Sequence, residues 1–268
     1  MTTVGIVTGA GRGMGEACAR RLADQVDVLL LVDRDETTVS AVAEECAGAE
    51  PFALDVTDRE GLARLAARVA DLGDLGPVVH AAGISPTMAD WRRIFQVDLI
   101  GTALLADALR PLAGPGTAML YYASMAPFLS GVAPDPAVTA VLDDPLAPDF
   151  LDRLRESLGP AVENPGTAYP WAKYGVHRFA RAEAVRLGPV GARACSLSPG
   201  VIDTPQGRQE AAEHPVMAEL VRRTPLGRTG RAEEVATVAA FMVSAEAGFL
   251  NGVDILVDGG AYAAVRTD

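Results

Sequence analysis

Residues 169–173 read Tyr-Pro-Trp-Ala-Lys and set a phenol and an ammonium four positions apart. On a helix such residues share a face, so both groups point the same way. A phenol titrates near ~10 and is a poor base at neutral pH, but a neighbouring cation favours the phenolate and fits it for acid–base work. Lys173 is the one lysine among 23 basic side chains, the other 22 being arginine. With five tyrosines in 268 residues, a tyrosine four positions before that lysine is an uncommon coincidence.

A second run, Thr8-Gly9-Ala10-Gly11-Arg12-Gly13-Met14-Gly15, follows a β-rich stretch and leads into a helical one. Glycines let the backbone approach a pyrophosphate, and the amides of a helix N-terminus meet its charge. The glycines fall at every second position and not in the G-x-G-x-x-G spacing, so a tight structural turn is the competing reading. Asp33 ends the next β-rich run, 18 residues after Gly15. A carboxylate there accepts both ribose hydroxyls of an adenosine and repels a 2′-phosphate, which selects NAD over NADP. Arg12 and Arg34 could pair with that phosphate, but Asp33 cannot be reconciled with it without moving, so NAD is the expected cofactor. An ammonium at Lys173 then has a second use, because a compact point charge can donate to two ribose hydroxyls where a planar guanidinium does not fit. The histidines His80, His177 and His214 and the cysteines Cys18, Cys46 and Cys195 are widely scattered, and no metal site or disulfide framework is expected.

Positioning these groups calls for alternating strands and helices. Strands are predicted over 4–8, 28–32, 52–54, 78–81, 118–122, 194–197 and 255–257. Helices are predicted around 13–24, 35–47, 88–110, 170–187 and 231–245, and Leu62, Leu65, Ala66 and Val69 mark another at i, i+3, i+4, i+7 spacing. This order gives an α/β chain with a parallel sheet covered on both faces, because parallel strands need crossover connections. No repeat or linker divides it, so residues 1–268 read as one domain. The rhythm breaks at 127–165, where seven prolines and a cluster of aspartates surround the amphipathic piece Phe150, Leu151, Leu154 and Leu158. Structureless loops of this length are uncommon in compact domains, so an inserted helical flap is expected.

Composition narrows the partners. The formal charge is −12 and aromatic side chains are few, which argues against nucleic acid or an anionic membrane surface. No apolar run reaches the ~18 residues of a membrane helix. The first basic residue, Arg12, falls in the glycine-rich turn and not in a signal-peptide n-region. A soluble, cytoplasmic protein is expected, and cysteine usage fits a reducing compartment.

These residues together resemble the short-chain dehydrogenase/reductase family over nearly the whole chain. The matching pieces are the 8–15 turn, Asp55-Val56, Ala82-Gly83 after the fourth strand, Ser124 after the fifth, Tyr169 and Lys173, Pro199-Gly200 with Ile202 and Thr204 after the sixth, and Asp258-Gly259-Gly260 after the last. The long insert and the C-terminal ending look most like bacterial 3α-hydroxysteroid dehydrogenase/carbonyl reductase. The resemblance implies a Rossmann-type sheet of about seven strands and hydride transfer between a nicotinamide cofactor and a secondary alcohol or ketone. It makes Tyr169 the acid/base, Lys173 its electrostatic partner and ribose ligand, and Ser124 the donor to the substrate oxygen. It places the cofactor on Gly9, Gly11, Arg12, Gly13, Met14, Gly15, Asp33, Asp55, Val56, Ala82, Gly83, Tyr169, Lys173, Pro199, Gly200, Ile202 and Thr204. There are three departures. Asp98 stands where the family has an asparagine that helps hold a water next to the lysine, and it could accept from the same water. Ala81 stands where an asparagine usually precedes Ala-Gly, so one side-chain bond is missing. Ser124 and Tyr169 lie 45 positions apart, further than is usual, and the insert that fills the gap should sit beside the substrate.

Two other functions stay open at this point. An NAD-binding sensor or scaffold without turnover would explain Asp98 but has no need of Ser124. A nucleotide-sugar epimerase or dehydratase shares the tyrosine and lysine but usually has a longer C-terminal domain than the 65 residues that follow Asp203. Met125, Phe128, Trp171 and Met217 suggest a hydrophobic substrate. Because the acidic insert should lie over one of the family's two assembly faces, a homodimer through the last helix and last strand is expected, with a tetramer as the other possibility.

Overall fold

The computed structural model describes residues 2–133, 135–213 and 216–267; His214 lies outside the described residues. Seven strands, β1 (Thr3–Thr8), β2 (Val28–Asp33), β3 (Ala49–Ala53), β4 (Asp74–His80), β5 (Ala118–Tyr122), β6 (Arg193–Pro199) and β7 (Asp254–Val257), form one parallel sheet in the order β3-β2-β1-β4-β5-β6-β7. Parallel strands covered on both faces read as continuous apolar runs, and Leu29, Leu30, Leu31 and Val32 of β2 are each 0% exposed. Alternate residues feed opposite layers: Leu30 and Val32 join one core cluster, Leu29 and Leu31 the other.

The helices are α1 (Gly13–Leu22), α2 (Glu36–Glu44), α3 (Arg59–Leu72), α4 (Trp91–Phe95), α5 (Gly101–Leu109), α6 (Ala126–Leu129), α7 (Pro136–Leu142), α8 (Phe150–Leu158), α9 (Pro165–Leu187), α10 (Pro205–Glu213), α11 (Val216–Arg223), α12 (Ala232–Val243) and α13 (Ala261–Thr267). In α3 the predicted face is the buried one, with Leu62, Leu65 and Val69 inside and the Asp58 carboxylate capping the Glu60 amide. Helix α9 starts on an Asn164 cap with Pro165 in its first turn and runs for 23 residues. Strand order reverses between β1 and β4, and a doubly wound sheet opens a crevice at such a point, beyond the C-terminal ends of its strands.

The structure corrects the sequence reading in the 88–110 helix and in the 127–165 insert. The single helix predicted over 88–110 is broken by a π turn, Gln96–Ile100, between α4 and α5. Within it the Asp98 carbonyl accepts the Thr102 hydroxyl at 2.7 Å, a local bond that competes with the regular ladder. The 127–165 segment is helical, but it does not sit over the crevice. Phe150, Leu154, Val138 and Val162 are buried in the same core layer as α4 and α9, and Phe150 meets Phe95 edge-on at 6.0 Å. Arg178 of α9 holds Asp143 at 2.6 Å. The apolar face of α8 is satisfied by this neighbouring helical layer, which leaves nothing to draw the segment over a polar cleft.

Candidate active site

The crevice is walled by the turn after β1, the end of β2, the loop after β3, the loop after β4 and the loop after β6, and it is lined by Gly9, Arg12, Gly13, Met14, Gly15, Asp33, Arg34, Asp55, Val56, Ala82, Gly83, Ser124, Tyr169, Pro199, Gly200, Ile202 and Thr204, among others. Gly9 is in the left-handed region at φ 68°, and a Cβ there would lie 2.8 Å from the Ala82 amide nitrogen. At Gly15 a Cβ would lie 2.0 Å from the Gly9 carbonyl oxygen, so helix α1 can abut the turn only without a side chain. No side chain caps α1, which leaves its first amides for an anion in the cleft. Asp33 accepts the Gly11 amide at 3.0 Å and the Asp35 amide at 3.1 Å, which fixes its carboxylate at the rim. Asp55 accepts from the Thr57 amide and hydroxyl and from Arg93 at 2.5 Å. Partial burial works against its charge, but these donors outweigh burial and hold its carboxyl below the usual range. These features fit a dinucleotide: a pyrophosphate on the α1 amides and an adenosine between Asp33 and Asp55.

At the other end of the cleft, Tyr169 and Ser124 both line the wall. Ser124 accepts the Ala126 amide at 3.1 Å. Enclosure pushes the Tyr169 phenol up, the negative charges of Asp98 and Glu210 push it further, and the neighbouring Ser124 hydroxyl opposes them. Lys173 lies behind the wall at 5% exposure, with Nζ 5.7 Å from the centroid of the Tyr169 ring. Nζ donates to the Tyr122 carbonyl at 3.2 Å and stands 3.8 Å from Asp98 Oδ2. A Cβ on Gly83 would come within 3.1 Å of Nζ, so the missing side chain at 83 is what lets the ammonium abut the cleft. Asp98 is 1% exposed; its Oδ1 accepts the Ile84 amide at 2.8 Å, while Oδ2 has no hydrogen-bond partner among the described residues. Burial raises this carboxyl, with Lys173 and the Ile84 amide pulling the other way.

A family model described as enoyl-(acyl carrier protein) reductase matches residues 9–139 and 157–262. The chain belongs to the short-chain dehydrogenase/reductase family. It is 32% identical to a cis-4-hydroxycyclohexanecarboxylate dehydrogenase of Sinomonas cyclohexanicum, over 98% of this chain and 97% of that one. It is 30% identical to a meso-2,3-butanediol dehydrogenase of Serratia marcescens, over 96% of this chain and 94% of that one. A solved short-chain dehydrogenase/reductase of Brucella melitensis, of the glucose/ribitol dehydrogenase type, superposes with a TM-score of 0.76 at 25% identity, covering 97% and 96% of the two chains. As a short-chain dehydrogenase/reductase the protein is an oxidoreductase of alcohols that uses a nicotinamide cofactor.

Three of the sequence-derived site residues, Gly11, Asp98 and Lys173, do not themselves line the cleft. Of the four apolar candidates only Met217 does; Met125 is buried, Phe128 packs on His177 and Tyr262, and Trp171 packs on Tyr174. Sequence reasoning missed Arg93, Ile84, Met88, Gln206 and Glu210 as lining residues. Gln206 and Glu210, four apart on α10, had a usable spacing signal; Arg93 had none until Asp55 was placed beside it. Among the described residues no helix is long and apolar enough to cross a membrane, and no three of His, Cys, Asp and Glu gather as metal ligands.

Proposed function

We propose that the chain oxidises a hydrophobic secondary alcohol of the alicyclic or hydroxysteroid kind with NAD, or reduces the matching ketone. The observation that carries the reading is Tyr169 and Ser124 lining one cleft, with the buried ammonium of Lys173 5.7 Å from the Tyr169 ring. The ring in the name of the Sinomonas relative and the Ile84, Met88, Val97 and Met217 side chains in the cleft support an alicyclic substrate. A bound nicotinamide supplies the two-electron acceptor. Ser124 donates to the substrate oxygen and holds it at Tyr169, whose phenolate takes the hydroxyl proton during oxidation and whose phenol returns it in reduction. Lys173 supports the phenolate and donates to the nicotinamide ribose, and Asp98 is the acceptor beside it for a proton relay. The test is NADH absorbance with a panel of cyclic and steroid alcohols. Binding of NAD with no turnover across that panel would favour the non-catalytic sensor instead.

Asp33 supports NAD as the cofactor, since its rim carboxylate meets the place where a 2′-phosphate would lie. Wild type should show higher kcat/KM with NAD than with NADP, and Asp33→Ala should narrow the gap by roughly tenfold, about 1.4 kcal/mol. A wild-type preference for NADP would mean that Arg12 or Arg34 governs the site.

A homodimer through α12 and β7 is proposed for the assembly. The 127–165 insert packs against α4 and α9, which obstructs the family's other assembly face, whereas β7 ends the sheet as an unpaired edge. Around it Phe241, Phe249, Val253 and Val185 are exposed. Light scattering should give twice the chain mass; a stable tetramer would show that the insert does not block the other face.

A further inference from the structure

Between the cleft and Lys173 runs a buried chain of hydrogen bonds whose directions the chemistry fixes. The Thr102 hydroxyl gives its single proton to the Asp98 carbonyl at 2.7 Å, so it can only accept from His80 Nε2, 3.0 Å away. His80 then carries its proton on Nε2, and its bare Nδ1 accepts the Thr8 hydroxyl at 2.7 Å. Thr8 Oγ1 in turn accepts the Ala82 amide at 3.2 Å. Thr8 thereby ties the loop after β4 to the end of β1. The relay runs one way, from the Ala82 amide through Thr8, His80 and Thr102 to the carbonyl in the π turn. Thr8, His80 and Thr102 are at most 1% exposed, and burial drives the His80 imidazole down to about 3, with the charge of Lys173 adding to the effect. The ring is therefore neutral throughout the working range, as the one-way chain requires.

We propose that His80 is a positioning residue for the reaction. Through Thr102 it holds open the π turn that presents the Asp98 carboxyl to Lys173, and through Thr8 it holds Ala82-Gly83 against the cleft. The two departures from the family pattern, at 81 and 98, are thus tied by one imidazole, and the gap at Gly83 through which Nζ abuts the cleft is set from both sides. If the carbonyl bond is lost, the turn is free to relax towards an ordinary helix, which rotates Asp98 about the helix axis and away from Lys173. The proposal rests on the reading of Tyr169 and Lys173 as the acid–base pair, and its tests separate the two.

The first test does not depend on turnover. Long-range proton–nitrogen spectra of the full chain should show His80 with protonated Nε2 and bare Nδ1 from about pH 5 to about pH 9. The opposite tautomer, or a ring that titrates in that window, overturns the proposal. The second uses Thr102→Val and Thr102→Ser, beside His80→Leu, which removes both the donor for Thr102 and the acceptor for Thr8. In Thr102→Val we expect kcat to fall about tenfold or more with KM for NAD within about twofold. The midpoint of the kcat–pH profile in oxidation should move down by about half a unit or more, because Asp98 no longer opposes the phenolate. Thr102→Ser should restore both, and His80→Leu should lose kcat as Thr102→Val does. A folded Thr102→Val enzyme with wild-type kcat and pH midpoint, lowered only in melting temperature, would reduce the network to core packing and overturn the proposal. Failure of the acid–base reading would look different: wild type itself would be idle on every alcohol, with the histidine tautomer as stated.

Discussion

Tyr169→Phe will keep cofactor binding and lose nearly all turnover. Tyr169 lines the cleft beside Ser124 while its ring is packed against the core, so phenylalanine keeps the packing and removes only the proposed acid/base. General acid–base groups contribute about 10²–10⁴ in rate, and a loss of this order in kcat is expected with the dissociation constant for NAD changed by no more than about threefold. The pH dependence should go with it. Enclosure and the charges of Asp98 and Glu210 raise the phenol, so oxidation, which needs the phenolate, should gain rate as pH rises through the alkaline range, and reduction, which needs the phenol, should lose it. The variant's residual rate should show neither limb. Stopped-flow or steady-state assays on the best alcohol of the panel measure all three quantities, and substantial activity without the hydroxyl would remove the tyrosine from the mechanism.

Lys173→Arg will also fail, although it keeps the charge. The ammonium is packed between the Tyr122 carbonyl, Asp98 and the bare edge of Gly83, in a space that suits a point charge. A guanidinium is broader and planar, and beside it lies the buried Asp98 oxygen that has no hydrogen-bond partner among the described residues. It should turn into a two-bond pair with that carboxylate and leave the phenolate without its point charge and the ribose without a donor. A fall of about 100-fold or more in kcat is expected, with weakened cofactor binding as well. Near wild-type kinetics would mean that the chain's one lysine is there for reasons other than its shape.

Most of the sheet was legible because parallel strands leave a signature that survives without context. Five consecutive apolar residues at 28–32 can only be covered on both faces, and Leu62, Leu65 and Val69 name the inward face of α3 by spacing alone. The placing of Tyr169 and Lys173, the proposed acid–base pair, on one helix was legible for the same reason, since four residues along a helix is a local relation. Strand β3 was read too short, because Glu50 and Pro51 look unlike a strand and are tolerated only at the sheet edge where β3 lies. Other features were hidden because they depend on long-range partners. The Arg93 clamp on Asp55 joins residues 38 apart. The Asp98 carbonyl in the π turn at 96–100 accepts the Thr102 hydroxyl, which meets the ring of His80, 22 positions before it. The insert's amphipathic helix is legible, but only the fold shows that its apolar face meets Phe95 and not the cleft.

The burial of Lys173 has a consequence for handling the protein. Every positive side chain on its surface is a guanidinium, so the only ε-amine in the chain sits behind the wall of the nucleotide cleft. Reagents that acylate amines find no side-chain target on the outside and can reach one only by way of the Gly83 gap. Adduct formation at 173 is then a covalent record of how often that gap is open, readable by mass alone and without any knowledge of the substrate.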